Sequence, residues 1–254
     1  MRIAVLITAR LGSTRLPKKH LLPANGRPIL QYLVDSITRE FKPEITAGVV
    51  VLAIATSERP ENRAFESTIN GCEVFAGSDG NIPFRHLQAA EHFDADAILS
   101  VDGDDILCSP RAMRIVFDAL QTGASLAKTE GLPLGMNASG YSTSALRNAL
   151  ANFEYDSIFE TGWGRVFEGV PVKSVKLDFA AADNLRFTLD YEEDYLFFTA
   201  LLGEEAVATR SASDAEIIAL VLSRHLDAIT KPVVDEYWKN FYGNIEIEKR
   251  RRIE

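Results

Sequence analysis

The sequence predicts an α/β protein whose Rossmann-like mixed sheet, mostly parallel, is flanked by helices. Three observations lead there. Short apolar runs alternate with stretches of helical periodicity through the first half of the chain. The length, 254 residues, suits one large α/β domain. The composition, 46% hydrophobic and 25% charged, is that of a globular protein, and no apolar run approaches the roughly 18 residues of a membrane span.

The elements follow in order. Ile3–Thr8 reads as a buried strand, and a polar loop bearing Gly and Pro runs from it to Gly26. Pro28 suits the first turn of a helix that continues to about Phe41. Val49–Ala55 is a second strand, Asn62–Ile69 a short helix, and Cys72–Phe75 a third strand before the turn Gly77-Ser-Asp-Gly80. Phe84–His92 is helical, Ala97–Val101 is a strand ending at Asp102-Gly-Asp-Asp105, and Pro110 opens a helix to about Leu120.

Beyond Ala124 the pattern loosens. Strands are expected near Ser125–Thr129, Ala138–Thr143, Val170–Phe179 and Arg186–Asp190, with helices near Ala145–Asn152, Tyr191–Leu202 and Asp214–His225. The expected organisation is a ligand-binding half (1–123), an acceptor half (124–230) and a helical tail (231–254). That tail, with Tyr237, Trp238, Phe241, Tyr242 and the basic run Lys249–Arg252, reads as a docking helix with a solvated end.

Charge is unevenly placed. The net charge is −9, which argues against a duplex nucleic-acid binder, yet the first 34 residues contain no Asp or Glu and carry Arg2, Arg10, Arg15, Lys18, Lys19 and Arg27. The N-terminal segment resembles neither a signal peptide nor a transit peptide. Two cysteines, Cys72 and Cys108, are too few for a disulfide framework and lack zinc spacing, so a reducing, cytoplasmic setting is expected, with both thiols packed as small hydrophobes.

Three segments put chemistry at strand exits, where ligands bind in open parallel sheets. The first, Thr8–Lys19, has neither GxxxxGK[ST] nor GxGxxG, so the two commonest phosphate loops are excluded. It offers Gly12 for close backbone approach, the hydroxyls of Ser13 and Thr14, and four cations (Arg10, Arg15, Lys18, Lys19) to neutralise phosphate oxygens. The second, Asp102-Gly-Asp-Asp105, crowds carboxylates that repel one another unless they share a cation. Mg2+ uses one or two carboxylates plus substrate phosphates, which makes Asp104 the first metal-ligand candidate. The third is Arg186-Phe-Thr-Leu-Asp190. Asp190 joined to Asp104 around one Mg2+ would make a nucleotide site, whereas Glu192 and Glu193 are accounted for by the helix dipole.

Ala9-Arg-Leu-Gly-Ser-Thr-Arg-Leu-Pro-Lys-Lys19 resembles the A-R-x-x-S-T-R-L-P-G-K loop of the cytidylyltransferases that make CMP-sugar acids, the acylneuraminate and KDO (3-deoxy-manno-octulosonate) synthetases. It is closer still to the spore coat polysaccharide biosynthesis protein F-like branch. Val51–Ser57, Glu73–Ser78, Arg85 with Gln88–Ala90, Gly103-Asp104, Leu132–Gly135 and Arg186–Asp190 with Glu193-Asp194 match further blocks in order, so the resemblance spans about Ile3 to Leu202. It implies a nucleotide-diphospho-sugar transferase-like fold, with CTP bound by the first loop and Mg2+ held by Asp104 and Asp190. It also implies attack of an acidic sugar's hydroxyl on the α-phosphate for surface polysaccharide biosynthesis, with pyrophosphate leaving.

The resemblance carries roles onto residues. Arg10 and Lys19 would hold the triphosphate with Arg15 assisting, and Ala9, Gly12, Ser13 and Asp102 would line the nucleotide pocket. Thr56, Ser78 and Arg85 fall where the family contacts base or acceptor, and Arg186 lies on the acceptor side. Arg10, Lys19 and Asp104 form the catalytic set, and a homodimer is a further implication.

The chain also departs from the pattern. Lys18 replaces a Gly, Asp102 replaces a Gln or Thr, and Glu160-Thr-Gly-Trp-Gly-Arg165 stands where the spore-coat-like branch has R-E-H-V-T. Within that segment Trp163 can stack on a sugar face and Arg165 can pair with an acid group, or the Trp is simply buried beside a Gly turn. A glycosyltransferase or sugar-1-phosphate nucleotidyltransferase of the same fold, and a non-catalytic nucleotide-binding homologue, stay open as alternatives.

Overall fold

The structure, a computed structural model, describes residues 1–151, 153–154, 157–177, 179 and 185–250. Its elements run β1 (Ile3–Thr8), a 3-10 turn at Lys19–Leu21, the two-residue pair β2 (Pro23–Ala24) and β3 (Arg27–Pro28), α1 (Ile29–Glu40), α2 (Lys42–Thr46), β4 (Val50–Ser57), α3 (Ala64–Thr68), β5 (Glu73–Gly77), α4 (Ile82–His92), β6 (Ala97–Asp102) and α5 (Pro110–Gln121). They continue as β7 (Leu126–Glu130), β8 (Ser139–Ser142), α6 (Thr143–Leu150), β9 (Lys173–Lys176), α7 (Glu192–Leu202), α8 (Glu205–Ala208), α9 (Asp214–Ser223), α10 (Asp227–Thr230) and α11 (Val234–Arg250).

Seven strands make one mixed sheet in the order β5-β4-β1-β6-β8-β7-β9. The first four are parallel, β8 is antiparallel to both β6 and β7, and β9 returns parallel to β7. Alternation along β1 divides the core between the two faces, as period-two side chains must. Ile3, Val5 and Ile7 pack with α1 and α5, while Ala4 and Leu6 pack with α4 and α6.

The chain runs outward from β1 through β4 to β5, then returns to place β6 on the other side of β1. That reversal is the topological switch point at which α/β sheets bind ligands. Register pairs Thr8 with Asp102, so the cationic loop and the acidic loop leave the sheet side by side. Gly103 makes the approach possible: its N–H donates to the Thr8 carbonyl at 2.8 Å, and a Cβ there would lie 2.9 Å from the Ala9 Cβ and 3.0 Å from His20 Nε2.

Local chemistry explains the helix starts. The side chains of Asn81, Ser109, Ser142 and Ser213 each accept a backbone N–H in the first turn of α4, α5, α6 and α9 respectively. The expected strand over Val170–Phe179 is shorter, Lys173–Lys176, because Gly169 turns the chain with φ +83° and Pro171 has no N–H to give a ladder. Residues 152, 178 and 251–254 of the expected elements lie outside the described residues.

The expected strand Arg186–Asp190 is not one. Only Arg186 forms a bridge, to Leu134, and the rest of the stretch is tied to loops. Phe187 N–H donates to the Leu134 carbonyl at 2.7 Å, and Leu189 N–H donates to the Asp104 carbonyl at 2.9 Å. Gly135, at φ +91°, permits this crossing, since a Cβ there would collide with the Phe187 carbonyl. The segment thereby hands Asp190 to Asp104.

Candidate active site

A cleft of 770 Å³ opens at the strand exits, lined by the first loop and, among others, by residues 160–164, Thr188 and Asp190. Its floor is the end of β6. Ala9, Arg10, Gly12, Ser13, Arg15, Lys19, Arg85, Asp102, Asp104, Trp163 and Asp190 all line it.

The centre is an ion-pair network around Lys19. This lysine is buried, and its Nζ donates to Asp104 Oδ2 at 2.7 Å and to Asp190 Oδ1 at 3.1 Å. Burial lowers the ammonium's pKa, but the two carboxylates overcome that and hold it above its ordinary value. For Asp104 burial acts upward, and Lys19 and His20 overcome it, leaving the carboxyl far below its usual range. Asp190 is shared further: Arg15 Nη2 reaches Oδ1 at 3.0 Å and Arg186 Nη2 reaches Oδ2 at 3.1 Å.

Two carboxylates from separate segments therefore converge on one positive charge. That pair of hard carboxylate oxygens is a donor set that fits a divalent cation such as Mg2+. Among the described residues no group of three or more His, Cys, Asp or Glu side chains is arranged to hold a metal. The neighbouring acids Asp102 and Asp105 form no ion pair of their own among the described residues. Asp102 is open to the cleft, but the surrounding protein and then Asp104 push its carboxyl up to about 6, against a hydrogen bond from Trp163. Asp105 is raised by burial and then by Asp102 and Asp104.

Residues that sequence reading passed over hold this centre in place. His20, buried, bonds through Nδ1 to the Arg10 carbonyl at 3.0 Å and through Nε2 to Asp104 Oδ1 at 2.9 Å. Asn62 accepts from the Leu11 N–H at 2.8 Å and donates to the Ser57 carbonyl at 3.0 Å, which anchors the cationic loop to β4. Asp194, 0% exposed, accepts from the Asp190 and Tyr191 N–H groups at 2.8 Å each and pairs with Arg186. No motif advertises His20 or Asn62. The adjacent Lys18 takes φ +53°, a left-handed conformation that suits the Gly of the resembling loop better than a lysine.

Other expected site residues are placed differently. Arg10 is paired across the cleft with Glu160 by two bonds, 2.7 and 2.9 Å. Arg85 is 2% exposed and spends its guanidinium on the carbonyls of Ser78 and Asp79 at 2.8 and 2.7 Å. Burial and then Arg10 bring its pKa down to about 10. Thr56, Ser78, Arg165 and Arg186 are not on the cleft surface. Thr56 and Ser78 are buried, Arg165 pairs with Glu248, and Arg186 pairs with Asp190 and Asp194, each cation neutralised from within the protein.

The tail helix also reaches the site. Tyr237, Trp238, Asn240, Phe241 and Asn244 of α11 line the cleft, while Tyr242 of the same aromatic cluster is exposed.

A cationic loop at the switch point faces two aspartates that gather one positive charge, and the sheet has the form of the nucleotidyltransferase fold. The cytidylyltransferase family model matches residues 4–163, so the chain belongs to the cytidylyltransferase family and is an enzyme of the nucleotidyltransferase class.

Relatives and solved structures agree. The chain is 24% identical over 240 residues to the spore coat polysaccharide biosynthesis protein SpsF of Bacillus subtilis (strain 168), covering 92% of this chain and 99% of that one. It is 30% identical over 127 residues to the 3-deoxy-manno-octulosonate cytidylyltransferase of Anaeromyxobacter dehalogenans (strain 2CP-C), covering 49% of this chain and 50% of that protein. A cytidylyltransferase structure from Leptospira borgpetersenii serovar Hardjo-bovis superimposes with TM-score 0.75 at 22% identity, over 89% of this chain and 96% of that one. A CMP:2-keto-3-deoxy-manno-octonic acid synthetase complexed with CTP does so at 0.59 and 15% identity, over 81% of this chain and 100% of that one. Rv0371c of Mycobacterium tuberculosis in complex with manganese gives 0.53 at 18% identity, over 79% of this chain and 99% of that one. No helix among the described residues is long and apolar enough to cross a membrane.

Proposed function

We propose that the chain transfers the cytidylyl group of CTP to a hydroxyl of an acidic sugar of the nonulosonate or KDO type, with Mg2+, in surface polysaccharide biosynthesis. The observation that carries this reading is the convergence of Asp104 and Asp190 on Lys19 beside the Arg10–Lys19 loop. The names of the relatives support the substrate class, and the manganese complex supports a divalent metal.

The chain's own residues supply most of the mechanism. An incoming triphosphate takes Arg10 from Glu160 and Lys19 from the two aspartates, exchanging internal ion pairs for pairs with phosphate oxygens. Asp104 and Asp190, relieved of Lys19, would hold Mg2+, which neutralises charge developing on the phosphates. The acceptor oxygen forms a bond to the α-phosphorus, the bond to the bridging oxygen of the leaving pyrophosphate breaks, and the acceptor's proton passes to solvent. Loop and floor align the two in-line oxygens. Arg15, partly exposed between Asp190 and Tyr191, would take the acceptor's carboxylate rather than assist at the triphosphate as the resemblance implies.

Calorimetry with CTP and Mg2+, followed by pyrophosphate detection across a panel of sugar acids, tests the reading. CTP binding and release of pyrophosphate with at least one sugar acid are expected, and absence of CTP binding would overturn it.

A further inference from the structure

We propose that α11 is the wall of the acceptor pocket, its aromatic face stacking on the ring of a polyhydroxylated sugar, and that Arg165 and Glu248 are positioning residues that hold it there. The inference rests on the cytidylyltransferase reading and assigns a role to residues beyond the matched span, 4–163.

Helical spacing puts Tyr237, Phe241, Asn244 and Glu248 on one face of α11. That face is pinned at both ends to segments that follow residue 124. At its start the Arg186 guanidinium lies 4.2 Å from the centre of the Tyr237 ring, and Asn240 Nδ2 donates to the Tyr191 hydroxyl at 2.9 Å. At its end the buried Glu248 accepts from the Thr161 N–H at 2.8 Å and pairs with Arg165. Tyr237 and Asn240 of the first tie, with Trp238, Phe241 and Asn244 between it and the second, face the cleft.

The chemistry of this wall suits a sugar. Aromatic faces cover the C–H face of a ring, and the amides of Asn240 and Asn244, with the carboxylates of Asp102 and Glu160 opposite, suit hydroxyl groups. Arg15 contacts the Tyr191 hydroxyl at 3.3 Å, the same hydroxyl that Asn240 holds, so a carboxylate at Arg15 would bring its sugar ring against α11. Arg10 and Lys19, from the same loop as Arg15, would be taken by the triphosphate. Arg165 thus serves the acceptor by holding the wall, its own charge being taken by Glu248.

The chain has two tryptophans, Trp163 and Trp238, and both line the cleft. In a Trp163→Phe variant Trp238 is the only indole, and its fluorescence is titrated with CTP alone and then, at saturating CTP and without metal, with 3-deoxy-manno-octulosonate and N-acetylneuraminate. A saturable change with at least one sugar acid and little change with CTP alone is the expected result. A response to CTP but to neither sugar would assign the wall to the base, and no response to any of them would make α11 a packing helix only. Either outcome overturns the proposal.

Kinetics on the sugar acid that responds complete the test. Trp238→Ala should raise the acceptor KM at least tenfold and leave the CTP KM within twofold, with Trp238→Phe restoring most of the loss. Glu248→Gln should raise the acceptor KM about threefold or more with kcat held, whereas equal loss in both substrates would contradict a positioning role. Calorimetry of CTP on the unmodified protein separates failure of this assignment from failure of the cytidylyltransferase reading.

Discussion

Residues 1–123 and the stretch beyond residue 124 reach the same cleft by different means. In the first, Thr8 and Asp102 sit at the ends of adjacent parallel strands, and the loop between Ala9 and His20 is anchored back to β4 through Asn62. In the second, Asp190 hangs on a segment with one bridge, Glu160 on a loop, and the aromatic wall on a helix more than 40 residues later. What holds these pieces is a set of buried charges and loop-to-loop hydrogen bonds. Regular ladders fix the strand ends of the first region, while the second reaches the cleft through a few polar contacts.

The comparison is broken most severely at Asp194. Asp194→Ala leaves Arg186 buried beside Asp190 without its main partner and removes two backbone acceptor contacts, so a loss of about 3–5 kcal/mol is expected in urea unfolding. A loss below about 1 kcal/mol would show that the acceptor side does not depend on this network.

Lys19→Ala tests the nucleotide side. Calorimetry should show CTP binding weakened by about 1–3 kcal/mol, the range of a charge-assisted contact. An unchanged affinity would reduce Lys19 to an internal partner of the two aspartates.

His86 joins the regions, bonded to Thr8 of β1 at 2.7 Å and to Tyr141 of β8. Burial, and then Arg85, lower its pKa from 6.5 to about 3. Below pH 6.5 the unfolded chain binds a proton that the folded chain refuses, so stability is retained above that pH and falls as pH drops toward 3. Between pH 7 and pH 5 the loss from this group should be about 2 kcal/mol, read as a shift in urea midpoint at constant m. A His86→Gln variant that keeps the same pH dependence would assign the effect elsewhere.

The smallest effect is expected at Lys18. Lys18→Gly relieves a left-handed residue and should raise stability by about 1 kcal/mol or less, the greater chain entropy of Gly offsetting part of the gain. A loss of stability would mean that the lysine side chain contributes more than its backbone costs.

How much was legible follows the same division. Ile3–Thr8, Ala97 onward and the Pro110 helix announce themselves because apolar periodicity and capping residues act over a few neighbours. The cationic loop and Asp104 were found because a strand exit is a local feature. Arg165 reads as a free cation for the acceptor because its partner is far along the chain, whereas the partners of Arg186, Asp190 and Asp194, stand only four and eight residues on and are brought to it by the turn into α7. Glu248 lies 83 residues from Arg165, and no pattern in the sequence links them. His20 was passed over for a similar reason, since its two bonds reach the Arg10 carbonyl and Asp104, 84 residues away.

By itself, then, the sequence determined the alternation of strands and helices, the charge division between a basic first loop and acidic strand ends, and the family. Those properties are written in neighbours and in motif spacing. Only the tertiary structure decided that Lys19 joins Asp104 to Asp190, that Arg10 is claimed by Glu160, and that the tail helix faces the cleft. Each of those is a contact between distant segments, set by which loops the sheet brings together and by the need of every buried charge for a partner.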